Sequence, residues 1–316
     1  MKNISDCVFL GAFFISFSLY WTLQHVLLLE ARRQRGFRVR RWKFGYRAEL
    51  RDQQTPSSSS KAQTETMESK GCNLRGFCLQ HRRWLLEGML KISCAVIGIA
   101  GEMFAAFPEG KFRKLEDIQH VSMYCMFVLS GIVDILCYSN IIFPKGTSNF
   151  VLALAFGVET LMFLNTETKS SLEKEVHYLM ICTVILCVIS TLAEMRFPTH
   201  IPLKFLRSYF TLLQGCWSVQ MGFLLKSAYS STPYLCQWIS STNKPDKVCT
   251  WVSLMFSWYV GGTFIIMSIF AAVIVLIKRK SRCWRTTSTW CNECSEEVET
   301  PSRTPDDWEE REPLHP

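Results

Sequence analysis

Histidine is scarce in this sequence, and the usual metal-binding motifs are missing. Only six of the 316 residues are histidines, and none of them stands in an HxxxH or HExxH spacing. Cys291 and Cys294 form a single CxxC that has no second pair to complete a zinc site. The sequence therefore offers no motif of a zinc protease or of a structural zinc domain.

A cleavable signal peptide and a disulfide framework are also missing. The first apolar block runs for about 22 residues, beyond the roughly 7 to 15 of a signal-peptide core, and arginines follow it rather than a small-residue cleavage site. The 14 cysteines are dispersed, and several fall inside apolar segments, where a thiol behaves as a small hydrophobic group. We expect the first block to be retained as a membrane anchor.

The apolar residues are gathered into long blocks rather than spread with the periods of a soluble domain. At about 1.5 Å per residue, a block such as 84–107 extends roughly 36 Å, enough to cross a hydrocarbon core of about 30 Å. Seven blocks qualify as spans: 8–29, 84–107, 118–143, 149–165, 175–195, 203–225 and 250–277. The predicted fold is an all-α integral membrane protein, a seven-transmembrane-helix bundle.

Positive charge sets the predicted orientation. The net charge of +8 is concentrated, because residues 31–83 hold 14 Lys and Arg against 4 Asp and Glu. Since positive residues that flank a span stay in the cytoplasm, the N-terminus is predicted outside and the C-terminus inside. Residues 31–51 are predicted to lie on anionic inner-leaflet lipids, at roughly 1 kcal/mol per basic residue; the alternative is a solvated loop that only fixes topology. Nucleic acid is not an expected partner.

The predicted organisation has four parts. Residues 1–30 form the N-terminus and first helix, 31–83 a basic, Ser-rich cytoplasmic loop, 84–277 the other six helices, and 278–316 a disordered cytoplasmic tail.

Three modifications are also candidates, namely glycosylation of Asn3, a disulfide between Cys236 and Cys249 in an outer loop, and palmitoylation of Cys283. The resident membrane is predicted to be the plasma membrane or a membrane of the secretory pathway.

Ionisable residues inside the spans are the main functional signal, because a lone charge at mid-bilayer costs about 2.5 to 3.5 kcal/mol. Glu87 and Lys91 stand one helical turn apart and are expected to pair. Because successive spans cross the membrane in alternating directions, the ionisable residues in them can be sorted by depth. On the inner side, Glu87, Lys91, Asp134, Glu194 and Arg207 can form a charge-balanced group, with Arg207 expected to bridge to Asp134 or Glu194. These five residues and Gln214 are predicted to form a structural intramembrane polar network.

The outer group contains Glu102, His120, Glu159 and His177. Two imidazoles and two carboxylates are a ligand set that binds zinc with one position open for water. The alternative is a polar network that fastens helices together, with the histidines solvated near the headgroups. Apart from zinc under the first interpretation, no cofactor is expected.

Five segments carry a family resemblance: GIAGEMFAAF (98–107), HVSMY (120–124), GIVDILC (131–137), AFGVETLMF (155–163) and LLQGCWSVQMGF (212–223). In this order they resemble the transmembrane protein 45 family of multi-pass proteins. The resemblance implies seven spans, no settled biochemical activity and, for its nearest members, expression in the epididymis. It also implies more outer histidines than this chain has, since the family carries His-His at Gln119-His120 and an HxH within 165–168.

Three functions are compatible with these features. The first is a non-enzymatic interaction or trafficking component whose protein partners the sequence does not identify. The second is a metal-dependent membrane hydrolase that uses the outer histidines and glutamates. The third is a proton-coupled transporter or channel, suggested by acidic residues on four consecutive spans, Glu102, Asp134, Glu159 and Glu194. A G-protein-coupled receptor is disfavoured, because the third span lacks a DRY-like end and the seventh lacks NPxxY.

Overall fold

The computed structural model describes residues 4–52, 85–104, 115–139, 143–144, 146–166, 168, 170–229 and 245–296. Within these ranges, side chains are described for all residues except 34–52, 115–118, 138, 227–229, 245–248 and 282–296. Two compact units are present, Met1–Ala271 and Ala272–Pro316. The helical bundle belongs to the first unit, and the described part of the second is the continuation of one helix.

Seven helices make up nearly all of the described residues, which contain no strand. They are α1 (Ile4–Asp52), α2 (85–104), α3 (Leu115–Tyr138), α4 (Thr147–Leu164), α5 (Ser171–Arg196), α6 (Ile201–Tyr229) and α7 (Pro245–Glu296). Five segments are long and apolar enough to cross a membrane: Ile4–Arg33, Gln119–Cys137, Thr147–Leu164, Ser171–Arg196 and Cys249–Ser281. The predicted all-α membrane fold is confirmed.

Helices α2 and α6 are also long enough to span a membrane, and each carries buried polar side chains. In α2, Lys91 and Glu102 are buried, whereas Ile97 and Phe104 on other sides of the helix are exposed. In α6, Gln214 is fully buried. Their polar faces therefore point into the protein and their apolar faces point outward, as a helix between protein and lipid requires.

Three helices end well away from the predicted boundaries. Helix α1 continues to Asp52, through the start of the predicted loop 31–83, because no proline interrupts the run and Arg and Lys are good helix formers. Helix α7 likewise continues to Glu296, into the predicted disordered tail. Helix α3 ends at Tyr138 rather than at residue 143, a few residues before Pro144, which disfavours helix at the residue it follows. Polarity marked the membrane edge in these places, but not the end of the helix.

Helices α3 to α6 pack against their neighbours in the chain, and α1 packs against α6. Helix α1 packs most extensively against α6, α6 packs against α5, α5 against α4, and α4 against α3. Glycines make two of the closest approaches: a Cβ on Gly11 would lie 2.6 Å from the carbonyl oxygen of Gly215, and one on Gly88 would lie 2.7 Å from that of Gly131. Small residues let membrane helices approach closely, which compensates for the lack of a hydrophobic driving force in lipid.

Aromatic side chains fill the centre of the bundle. The ring of Phe14 on α1 lies 5.6 Å from that of Phe127 on α3 and 6.1 Å from that of Phe156 on α4, measured between centroids. All three side chains are at most 2% exposed. The three helices therefore share one core, and the charged side chains described next lie beside it.

Candidate functional site

Lys91 on α2 is the centre of the most concentrated group of buried charges. Its side chain is almost fully buried, and Nζ lies 2.6 Å from Oδ2 of Asp134 on α3 and 3.1 Å from Oε1 of Glu87. The hydroxyl of Ser148 on α4 donates to the other carboxylate oxygen of Asp134. This ammonium group thus has two carboxylate partners, and one of them reaches a third helix.

Trp21 on α1 connects this group to a second one. Its indole Nε1–H donates to Oε1 of Glu87 at 2.9 Å. The guanidinium carbon of Arg207 lies 4.1 Å from the Trp21 ring centroid, and Lys91 Nζ lies 5.9 Å from it. Both distances are within the range of a cation–π interaction. The indole ring therefore touches a cation of each group.

Arg207 on α6 forms the second group with Glu194 on α5. Arg207 Nε lies 2.8 Å from Glu194 Oε2, close enough for an ion pair although the N–H does not point at the oxygen. Lys204 Nζ lies 3.4 Å from the other carboxylate oxygen of Glu194. Glu194 and Arg207 are both buried. The carboxylate of Glu194 therefore pairs with two cations at the α5–α6 interface.

We call these residues the inner charge network: Trp21, Glu87, Lys91, Asp134, Glu194, Lys204 and Arg207. Its three cations balance its three carboxylates, and it links helices α1, α2, α3, α5 and α6. A buried ion pair repays its desolvation only when geometry and additional hydrogen bonds are good. The chemistry that this arrangement favours is cohesion between helices, since every charge in it has an opposite charge within 4 Å.

Glu159 on α4 and Gln214 on α6 form a separate contact. Gln214 Nε2 donates to Glu159 Oε1 at 2.8 Å, and Gln214 Oε1 accepts from the thiol of Cys187 at 3.1 Å. Both Glu159 and Gln214 are fully buried. Glu159 Oε2 has no hydrogen-bond partner among the described residues. Gln214, predicted to belong to the structural polar network, therefore contacts a residue of the outer group.

The four candidate metal ligands have different partners. His120 Nδ1 lies 2.9 Å from Glu102 Oε1, so the structure brings these two together. His177 Nδ1 instead contacts the backbone carbonyl of Glu173 at 2.8 Å, and its buried Nε2 has no hydrogen-bond partner within the described ranges. Across the described part of the chain, no three His, Cys, Asp or Glu side chains are grouped so as to hold a metal ion.

The remaining predicted sites fall outside what the structure describes. Asn3 and Cys236 are not among the described residues, and neither is the side chain of Cys283. Glycosylation, palmitoylation and the disulfide between Cys236 and Cys249 stay predictions. Sequence reasoning missed Trp21 and Lys204. Trp21 had one usable signal, since a tryptophan deep in a membrane helix needs an acceptor for its N–H.

A small cavity lies between the aromatic core and Lys91. Its volume is about 10 Å³, room for one water molecule at most. Six of its eight lining residues are aromatic, and the full set is Phe13, Phe14, Phe17, Trp21, Lys91, Phe127, Leu152 and Phe156. This cavity is far smaller than the few hundred Å³ of a small-molecule site.

Comparison with known proteins gives a family and a group of relatives. Residues 145–272 match the model of a family described as "Family of unknown function (DUF716)". The chain is 26% identical over 215 residues to human transmembrane epididymal protein 1, covering 60% of this chain and 74% of the relative. The mouse transmembrane epididymal protein 1A is 26% identical over 202 residues, covering 61% of this chain and 63% of the relative.

The rat transmembrane epididymal protein 1 is 25% identical over 181 residues, covering 53% of this chain and 57% of the relative. The chain therefore spans less than two thirds of the length of the mouse and rat relatives. These findings confirm the resemblance predicted from the sequence, and the relatives' names agree with the membrane fold. The family match covers α4, α5, α6 and the first part of α7, and with them Glu159, Glu194, Arg207 and Gln214.

Proposed function

Because this multi-pass membrane protein matches a family of unknown function and resembles the transmembrane epididymal proteins, similarity supplies no activity, and we propose one from geometry. We propose that it is a non-enzymatic interaction or trafficking component of the plasma membrane or secretory pathway, with residues 31–51 engaging anionic lipids of the inner leaflet. The relatives' names make the epididymis the first tissue in which to examine it.

The pairing of the buried charges is the observation that carries this proposal. Lys91 and Arg207 each have a carboxylate partner within 3 Å, and both are buried. The cavity beside Lys91 holds no more than one water. Charges that serve a substrate or an ion normally face a cavity or a pathway. Here they face one another, which supports a structural role for the network and a role for the protein surface in interaction.

The test compares a variant of the basic segment 31–51 with a variant of the two outer histidines. Two variants of the full chain are expressed in cells: one with the arginines of 31–51 replaced by glutamine, and His120→Ala/His177→Ala. We expect the first to lose its normal membrane distribution and the second to keep it, as quantified by imaging and cell-surface biotinylation. A normal distribution of the first variant together with mislocalisation of the second would contradict the proposal.

The hydrolase interpretation has weaker support, because only Glu102 and His120 of its four ligands are in contact. Purified wild-type protein analysed for zinc by mass spectrometry provides the direct test. One zinc per chain in the wild type and none in His120→Ala/His177→Ala would favour the hydrolase over our proposal. Equal, substoichiometric zinc in both proteins would support the proposal.

Glu159 favours a second candidate function, proton-coupled transport. Its carboxyl is fully buried in a membrane-spanning helix, it faces Gln214 rather than a cation, and one oxygen has no partner among the described residues. An ionisable residue in this setting commonly marks an ion or proton pathway. The carboxylates of the inner charge network are instead paired with cations, so Glu159 is the residue on which this candidate depends.

Proton flux into liposomes tests this second candidate. If Glu159 carries protons, Glu159→Gln should reduce flux to the level of protein-free liposomes, because glutamine keeps the shape of the side chain without its titratable proton. The matched control is Glu175→Gln, which changes a partly buried carboxylate on α5. Flux that is absent from the wild type, or equal in wild type and Glu159→Gln, would eliminate transport through Glu159.

A further inference from the structure

The turn between α5 and α6 exposes cations beside the membrane end of α1. Residues 195–200 are all exposed; the first two are the last residues of the membrane span Ser171–Arg196, and the other four follow it directly. Arg32, also exposed, lies at the end of the span Ile4–Arg33, and its Nη1 donates to the carbonyl oxygen of Thr199 at 3.2 Å. Two helix ends and the turn are thereby held together at one membrane boundary.

The cations at this boundary outnumber their local carboxylates. Glu194, the acidic residue at the end of α5, already serves Lys204 and Arg207. Within the described ranges, neither Arg32 nor Arg196 has a carboxylate at ion-pair distance; the guanidinium carbon of Arg196 lies 5.4 Å from the ring centroid of Phe197. Only one of the five N–H donors of Arg32 is used by Thr199. Two guanidinium groups therefore have donors available for an anion.

An exposed aromatic residue accompanies these cations. Phe197 is 49% exposed, and its ring packs edge-on against that of His200 at 5.8 Å. Cations combined with exposed aromatic side chains are typical of segments that lie at the boundary between headgroups and acyl chains. Helix α6 begins at Ile201, and because Pro202 has no N–H, its first turn offers an anion the backbone N–H groups of Ile201, Leu203 and Lys204.

We propose that Arg32, Arg196 and the α5–α6 turn form a binding site for the phosphate group of an anionic phospholipid, with Phe197 in the adjoining acyl region. Each guanidinium presents a planar set of donors that matches two phosphate oxygens. The site lies at the end of two spans, where the headgroups of the surrounding bilayer are close to it. It adds the α5–α6 turn to the lipid contact proposed for residues 31–51. The inference rests on the proposed function, which assigns this end of the helices to the anionic inner leaflet.

The experiment uses the full chain in phosphatidylcholine nanodiscs and titrates in fluorescent phosphatidylserine. Each basic residue near a surface contributes roughly a fivefold change in affinity. Arg32→Gln/Arg196→Gln should therefore weaken phosphatidylserine binding about 25-fold. Lys174→Gln/Lys226→Gln removes the same charge from exposed residues at the other ends of α5 and α6, and should leave binding unchanged.

Two further variants make the outcome specific. Arg32→Lys/Arg196→Lys keeps the charge but not the planar donor set, so it should bind more tightly than the glutamine variant and more weakly than the wild type. This intermediate affinity would show that the glutamine variant lost a cation rather than its fold. Replacement of the arginines between 35 and 51 by glutamine tests the proposed function separately. If that variant loses binding while Arg32→Gln/Arg196→Gln retains it, the turn site is wrong and the lipid role of residues 31–51 stands.

Competition distinguishes a lipid from free phosphate. Inorganic phosphate and water-soluble glycerophosphoserine are added at concentrations matched to the lipid. We expect neither to displace more than about a tenth of the bound phosphatidylserine, because Phe197 and the bilayer favour the acylated ligand. Full displacement by inorganic phosphate would overturn the assignment to a lipid, as would equal affinity for phosphatidylserine and phosphatidylcholine.

Discussion

The ammonium nitrogen of Lys91 lies 2.6 Å from a carboxylate oxygen of Asp134, and both side chains are about 1% exposed. The pair joins α2 to α3 next to the close contact of Gly88 with Gly131. An isolated charge at mid-bilayer costs about 2.5 to 3.5 kcal/mol, so each residue makes the other tolerable. The mutual dependence of these two charges leads to the first prediction.

Asp134→Asn should destabilise the protein by about 3 to 5 kcal/mol, because it removes one partner of a buried ion pair and leaves Lys91 with Glu87 alone. The free energy of unfolding is measured by denaturant titration in detergent micelles. Lys91→Met/Asp134→Asn should cost less than the sum of the two single variants. Additive losses would show that the two charges do not stabilise each other.

Gly11→Ala should weaken the packing of α1 against α6. The added methyl group would lie 2.6 Å from the carbonyl oxygen of Gly215, and a backbone atom yields less easily than the tip of a side chain. A loss of about 1 to 3 kcal/mol is expected, as for overpacking in other tightly packed cores. Gly157→Ala is the control, because a methyl group added there would meet no neighbouring side chain or helix of the described residues within 4 Å. It should be neutral or stabilise α4 by up to about 1 kcal/mol.

Trp21→Phe should cost about 1 to 3 kcal/mol. The substitution removes the indole N–H that Glu87 accepts and weakens the ring face that Arg207 covers at 4.1 Å. Trp258→Phe, on a side chain that is 75% exposed, is the matched control and should change stability by less than about 0.5 kcal/mol. If both variants unfold at the same denaturant concentration, Trp21 does not link the two halves of the inner charge network.

The sequence was sufficient to predict contacts within one helix. It was not sufficient to predict which side chains of different helices are in contact. Glu87 and Lys91 are four residues apart, so their pairing at 3.1 Å follows from helical geometry alone. Arg207 had two acidic candidates at the same depth, and only the packing of α5 against α6 selects Glu194. Depth also grouped Glu159 with the outer histidines, whereas its actual neighbour, Gln214, is set by which face of α6 meets α4.

The ends of the helices were the second feature that could not be predicted from the sequence. Hydropathy detects where a chain leaves the hydrocarbon region, but α1 continues through the arginines that follow because nothing in them breaks a helix. The start of α5 was also predicted too late, at residue 175 instead of Ser171. Ser170 caps α5 by accepting from the backbone N–H of Glu173, a type of cap that sequence rules anticipate.

Orientation stays a prediction, with the N-terminus outside and the C-terminus in the cytoplasm. An epitope tag on the N-terminus should be stained in intact cells, and a tag on the C-terminus only after permeabilisation. Replacing the arginines between 35 and 51 by glutamine should make the staining heterogeneous, since they are the predicted orientation signal. Uniform staining of the C-terminal tag on intact cells would reverse the topology and, with it, the leaflet assigned to the α5–α6 turn.

Gln214→Leu should cost about 1 to 3 kcal/mol, because it removes the donor to Glu159 and leaves that carboxyl without any hydrogen bond from the described residues. Replacing both partners by apolar groups is a different case, since the carboxyl is then no longer left unsatisfied. The thiol of Cys187, a weak donor, loses its acceptor on Gln214 in both variants. Glu159→Leu/Gln214→Leu should therefore be more stable than Gln214→Leu alone when unfolding is followed in micelles. Gln220→Leu, on the same helix but only partly buried, controls for the general effect of glutamine removal. A double variant less stable than both single variants would indicate that Glu159 has a further favourable partner, and would strengthen its case as a functional carboxyl.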